Sequence, residues 1–328
     1  MGLSEIIGHQ KQIETLRFAL ANGRLHHAYL FVGPEGIGKR KIAFSLAKVI
    51  HCSETTADFC GVCVNCARIE AGNHPDVRFL EPLAGKKEIS IQQIRDIEKE
   101  LNFRSFSGKR KIAIVDPATL MNLSAQNALL KTLEEPPQDS LLILIASNAG
   151  GLLPTLRSRC LLVSFSPLEQ ESLERFLGAN KGRQPEEARL LAAMAMGSLG
   201  AALRLDNEKL RERRSRWIEL MSSLVPGDYR SAADAAEELA ANRDDSLQFL
   251  DWVETWYRDL LVHGATQNSQ AIINRDSSRR IEELSHSLDT ERVLLAIDRI
   301  TDAGLSIQRN LNRRMVLEQF FFSVVRGD

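Results

Sequence analysis

A glycine-rich turn, Gly33-Pro34-Glu35-Gly36-Ile37-Gly38-Lys39, lies between an apolar run at residues 29–32 and a stretch whose apolar residues, Ile42, Leu46, Val49 and Ile50, recur at helical spacing. Strand, tight loop and helix in that order leave few folds open. In such a loop, successive backbone N–H groups can cradle phosphates, so Gly33, Gly36, Gly38 and Lys39 are the candidate phosphate ligands, with Lys39 as the point charge. Three further apolar runs follow at residues 77–80, 111–115 and 141–146, separated by amphipathic stretches around 91–101 and 120–133. This alternation predicts an α/β domain with a parallel sheet covered by helices. Pro136-Pro137 should end the second amphipathic stretch, because proline cannot donate to a helical ladder.

Two atoms that a working ATPase site needs are missing. The residue after Lys39 should carry a hydroxyl for the Mg²⁺ shell, and here it is Arg40, a permanent cation with no lone pair for a metal. A later strand should deliver a carboxylate for Mg²⁺ and then an acid that orients water. Ile112-Ala113-Ile114-Val115-Asp116 provides the first, but Pro117 stands where the second is wanted. Asp116 is thus a remnant. The chain is expected to bind ATP/Mg²⁺ unproductively or not at all and to have no ATPase activity of its own.

With 328 residues, the chain has length for two or three domains. Beyond Ser164-Phe165-Ser166-Pro167 no further strand is predicted, and apolar positions recur every three to four residues, notably over 246–263 and 291–325. The expected division is a nucleotide-fold domain at 1–166, a small helical domain at 167–206 and an all-α domain at 207–328. Trp252, Trp256, Tyr257 and Phe320-Phe321-Phe322 are expected in a helical core, or alternatively at a subunit interface. The formal charge of −1 supplies no global field for gripping a phosphate backbone. No apolar run approaches the roughly 20 residues of a membrane-spanning helix. MGLSEIIGHQ has no basic segment leading into an apolar stretch, and Ile6 stands where a myristoylation motif wants Ser or Thr. A cytoplasmic chain is expected.

Of five cysteines, Cys52, Cys60, Cys63 and Cys66 crowd into fifteen residues while Cys160 stands alone. The spacing favours a metal over a disulfide framework. Four thiolates could converge on one Zn²⁺ in a closed tetrahedral shell, and a stretch this short would owe its fold to the metal. A redox CxxC pair and a three-cysteine site completed by His51 are the competing readings. Acidic Glu54 and Asp58 argue against a phosphate-gripping finger.

His27-Ala28-Tyr29-Leu30-Phe31, the cysteine cluster, Asn127-Ala128-Leu129-Leu130-Lys131-Thr132-Leu133-Glu134-Glu135-Pro136-Pro137 and Leu156-Arg157-Ser158-Arg159-Cys160 together resemble the AAA+ family, in its branch of delta-prime-type subunits of bacterial DNA polymerase III clamp loaders. The helical remainder, ending in Asn310-Leu311-Asn312-Arg313-Arg314, is a looser match. The resemblance implies an AAA+ P-loop domain with a zinc insertion at 52–66, a helical lid and an oligomerising helical collar. It also supports Cys52 as the fourth zinc ligand. It implies that Arg159, within Ser158-Arg159-Cys160, is an arginine finger directed at ATP held by a neighbouring gamma/tau subunit. The implied setting is a pentameric hetero-oligomer with gamma/tau and delta subunits, a sliding clamp and primed DNA, in which polymerase catalysis belongs to the holoenzyme. Gly200 falls where active relatives place a sensing arginine, and Ser147 or Asn148 where they keep a first polar sensor. From the residues alone, Arg159 would be read as the partner of a surface carboxylate. An active motor subunit of the gamma/tau type and a stand-alone zinc module for DNA remain the alternative functions.

Overall fold

The computed structural model of the chain describes residues 2–3, 6–55, 58–205, 208–287, 289–309 and 311–326. The expected boundary at 206 and Asn310 lie outside these described residues. The chain forms two compact units, one of Met1–Gly182 with Ala195–Ala201 and one of Arg183–Met194 with Ala202–Asp328.

The first unit runs α1 (Gln10–Ala21), β1 (Ala28–Val32), α2 (Lys39–His51), α3 (Val64–Glu70), β2 (Val77–Leu80), α4 (Ile91–Leu101), β3 (Lys111–Val115), α5 (Leu123–Glu134), β4 (Ser140–Ala146), α6 (Pro154–Arg157), β5 (Leu161–Ser164) and α7 (Gln170–Lys181). Its five strands are all parallel, in the order β2-β3-β4-β1-β5. The four apolar runs legible in the sequence are the first four strands. Their residues alternate between two buried faces, as a period of two requires. Phe31, Ile112, Ile114, Ile143 and Ile145 join Ile42 and Leu46 of α2 in one core layer. Leu30, Ala113, Val115, Leu142 and Leu144 join Ile94 of α4 and Leu129 of α5 in the other.

Local signals set the helix ends. Ser90 and Gln93 form a reciprocal capping box at the start of α4, and the Asn122 side chain accepts from Ala125 N to open α5. α5 ends at Glu134, two residues before Pro136. The strand β5, not among the apolar runs read from the sequence, ends at Ser164, where the helical remainder was expected to begin. It is a short edge strand with Leu161 and Leu162 about half exposed, so it lacks the buried apolar signature of β1, β3 and β4.

The second unit is helical: α8 (Pro185–Met194), α9 (Leu199–Leu205), within which the boundary between units falls, α10 (Glu208–Ser223), α11 (Tyr229–Ala240), α12 (Arg243–Thr266), α13 (Ser278–Ser287), α14 (Thr290–Gln308) and α15 (Arg313–Val325). The stretch read as one pattern over 291–325 is two helices, because the Asn312 side chain accepts from Met315 N and starts a new one. Trp252, Trp256, Tyr257, Phe320 and Phe321 are core residues, packed with Trp217 and Phe249. Within this core, the buried Asp259 accepts from Ile273 N, Asn274 N and Asn274 Nδ2, so its charge is satisfied where water cannot reach. No described helix is long and apolar enough to cross a membrane.

Candidate functional site

Because β4 lies between β1 and β3, the loop after β1 and Asp116 after β3 emerge at the same C-terminal edge of the sheet, the edge at which open parallel sheets hold ligands. The turn from β1 into α2 needs its glycines. Gly36 has φ +72°, and a Cβ there would lie 2.4 Å from Ser198 Oγ; at Gly33 one would lie 2.2 Å from Phe165 O. Every carbonyl from Gly33 to Gly38 accepts a hydrogen bond. Lys39 Nζ donates to Gly33 O at 2.5 Å and Pro34 O at 2.6 Å. Ser198 Oγ donates to Glu35 O at 2.9 Å and Gly200 N to Gly36 O at 2.8 Å. His9 Nε2 donates to Ile37 O at 2.9 Å, and Ile42 N to Gly38 O at 3.0 Å.

Lys39 is buried and turned back on its own loop. Burial pushes its ammonium below the ordinary lysine value, against the opposing pull of Asp116 and Glu35. Gly200, which the family resemblance sets at the place of a sensing arginine, packs its backbone on Gly36. Asn148 Oδ1 accepts from Gly151 N within its own loop.

Arg40 reaches the far side of this edge. Its Nε donates to Asp116 Oδ2 at 2.7 Å, its Nη2 to Glu81 Oε2 at 3.1 Å, and its guanidinium lies 4.2 Å above the Phe79 ring. The Asp116 carboxylate therefore already faces a fixed cation, the countercharge that a Mg²⁺ ion supplies in a hydrolytic site. Glu81 belongs to no motif in the sequence, although it closes the β2 run as an acid.

Arg159 lies just after α6 and before β5. Its Nη1 donates to Thr155 O at 2.8 Å and its Nη2 to Glu134 Oε1 at 2.6 Å. The carboxylate partner expected from the residues alone is present, and it belongs to the Leu133-Glu134-Glu135-Pro136 segment. With its side chain 35% exposed, Arg159 keeps a planar fork within reach of solvent at the surface.

The cysteines are delivered by two helix ends. Cys52 caps the C-terminus of α2, Cys63 the N-terminus of α3, and Cys66 lies in the first turn of α3. One Sγ from each of Cys52, Cys60, Cys63 and Cys66 lies within 4.8 Å of the others. Cys60 N donates to Cys52 Sγ at 3.4 Å and Cys63 N to Cys60 Sγ at 3.3 Å. Burial alone would raise Cys63, but donors from Ser53 and Cys66 outweigh it and hold the thiol down to about 5. This donor set fits a soft divalent ion such as Zn²⁺. Cys160 is apart from the cluster, its thiol pushed up to about 12 by burial. His51 falls in a separate buried group with His74 and Asp76.

In that second group the carboxylate is already spent. Asp76, with no exposed side-chain surface, accepts from Phe106 N, Ser107 N, Ser105 Oγ and Ser107 Oγ at 2.8–2.9 Å, with Lys111 Nζ at 3.7 Å. Asp76 N in turn donates to His74 Nδ1, so that ring nitrogen is an acceptor. Burial would raise the Asp76 carboxyl, but these donors outweigh it and hold it at about 2. Because the folded value is below the usual one, its contribution is present above pH 4 and lost as pH falls toward 2; the size is about 2 kcal/mol. Urea unfolding of Asp76→Asn against the parent chain at several pH values should show that difference vanish across this window. An undiminished difference at pH 2 would contradict it.

A family model described as "DNA polymerase III, delta subunit" matches residues 8–169, and one described as "DNA polymerase III, delta subunit, C terminal" matches residues 207–324. The DNA polymerase III subunit delta' of Pseudomonas aeruginosa is 33% identical over 296 residues, 89% of each chain. That of Bacillus subtilis is 31% identical over 96% of this chain and 95% of its own. DNA polymerase III subunit tau of Escherichia coli is 31% identical over 85% of this chain but only 41% of its own length.

Proposed function

The chain belongs to the DNA polymerase III subunit delta' family, and from that membership we propose that it is a non-hydrolysing subunit of the clamp loader that places a sliding clamp on primed DNA. The observation that carries the reading is the 2.7 Å ion pair of Arg40 with Asp116. A guanidinium takes the carboxylate that should ligate Mg²⁺, no hydroxyl follows Lys39, and Pro117 leaves no group to aim water. Lys39 folded onto its own loop supports the same conclusion.

The subunit would serve its neighbours. Arg159, on a short surface turn, would extend to the γ-phosphate of ATP bound by an adjoining gamma/tau subunit and stabilise charge in its transition state. To do so its Nη2 must exchange Glu134 for phosphate oxygen. The proposed division is the nucleotide fold at 1–166, a lid at 167–206 and a collar at 207–328 that holds the pentamer beside delta and gamma/tau. Cys52, Cys60, Cys63 and Cys66 would hold one structural Zn²⁺, with no open position for catalysis. The setting is cytoplasmic.

Two assays of phosphate release test this reading. The isolated chain is expected to hydrolyse ATP at background rate, unchanged by Lys39→Ala. Reconstitution with a gamma/tau subunit should raise turnover above that subunit alone. Hydrolysis by the isolated chain that disappears in Lys39→Ala would instead favour the motor reading.

A further inference from the structure

Glu134 and Arg159 meet at a place whose backbone is fixed on both sides. Leu133, beside Glu134, and Leu156, in the turn that leads to Arg159, are buried in the same core layer. α5 stops at Glu134, ahead of Pro136. The turn after α6 is closed by Arg159 N donating to Leu156 O at 3.2 Å and by Ser158 Oγ donating to Thr155 O at 3.1 Å. The Arg159 fork folds back over that turn, one nitrogen on Thr155 O and the other on Glu134 Oε1. In this posture the guanidinium is committed to its own subunit.

A carboxylate is an uneconomical choice for the end of a helix. The unpaired carbonyls there already carry partial negative charge, so an acid is unfavourable without a cation. Glu134 is the last residue of α5, and Glu135 follows it. Release of Arg159 therefore leaves a carboxylate against a negative helix end and beside a like charge. An exposed pair is worth up to about fivefold in an equilibrium, and this setting places Glu134 toward the upper part of that range. A terminal phosphate still outcompetes it, because it offers more charge and two oxygens that match the planar fork.

We propose that Glu134 is a positioning residue for Arg159, an inference that rests on the reading of Arg159 as a finger. Glu134 holds the guanidinium in reserve while the adjoining site lacks a γ-phosphate and yields it when one is present. ADP ends one phosphate short, so after hydrolysis the fork returns to Glu134 and the interface is tilted toward release. Only the fraction of fingers free of Glu134 is competent to engage.

The test is ATP turnover by the full chain assembled with gamma/tau and delta subunits, and the signal is the part of that turnover that Arg159→Ala removes. Glu134→Gln keeps the size of the side chain and discards its charge. It is expected to raise the signal about two- to fivefold at ATP well below saturation, and by less at saturation, where phosphate already holds the fork. Combined with Arg159→Ala it should change nothing. A purely structural role would shift thermal melting of the isolated chain without a gain that depends on Arg159. Turnover lowered by Glu134→Gln at every ATP concentration would overturn the proposal, since Glu134 would then aim the finger in the reacting complex. A gain that survives in the double variant would overturn it as well. Unchanged turnover in Glu134→Gln, with Arg159→Ala still slow, would defeat this inference and leave the finger standing. Parent-rate turnover in Arg159→Ala would instead remove the finger reading and this inference together.

Discussion

Replacing Arg159 with alanine is expected to slow ATP turnover at the adjoining site of the assembled complex by about a thousandfold or more, the low end of what a finger supplied in trans contributes. The isolated chain should barely register the change. Arg159 donates to Glu134 and to Thr155 O at the surface, and exposed pairs of this kind contribute about 0–1 kcal/mol to stability. Loss of turnover therefore cannot be ascribed to a failed fold, provided thermal melting and assembly of the variant match the parent. Arg159→Lys should rescue little. An ammonium keeps the charge but loses the planar fork that meets two phosphate oxygens together. Single-turnover measurements at the adjoining site decide the matter, and an Arg159→Ala complex that assembles and hydrolyses at the parent rate would end the finger assignment.

The second large effect is expected at the cysteines. One equivalent of zinc per chain should be found by mass spectrometry of metals, and Cys66→Ser should lower zinc affinity by about a hundredfold or more. The size follows from structural sites, where about 10–16 kcal/mol is shared among four ligands, so roughly 3 kcal/mol attaches to each. Cys66 is the informative choice because it is 1% exposed and lies within α3, so it joins metal binding to helix packing. Stripping the metal with a strong chelator should expose the segment from Cys52 through α3 to rapid hydrogen exchange. The strands should keep their protection, because the layer built on Leu30, Val115 and Leu144 contains no residue of that segment. Zinc retained at full stoichiometry after Cys66→Ser would refute a four-cysteine site.

What the sequence reveals follows from burial and spacing. Strands β1, β3 and β4 are buried along nearly their whole length and read as apolar runs, β2 shows Arg78 to solvent, and β5 is exposed on both faces and reads as nothing in particular. The cysteine group is legible because its members are neighbours in the chain. Arg40 and Asp116 each stand out by departing from a motif, but no local pattern says that two residues 76 positions apart meet. Glu134 sits beside Glu135, and only the end of α5 decides which of the two faces Arg159. Asp76 is a single acid after a proline, and its role depends on four donors arriving from a loop some thirty residues away. Ser198 and Gly200 touch the glycine turn from more than 160 residues downstream, beyond any periodicity.

The bond between Arg40 and Asp116 has a consequence for timing. A dissolved cation arrives with its nucleotide and departs with the product, so the protein around it must relax once per cycle. A guanidinium tethered to the backbone never departs. The end of this sheet should accordingly hold one posture at any concentration of EDTA or magnesium, a stationary anvil against which moving partners can close and reopen.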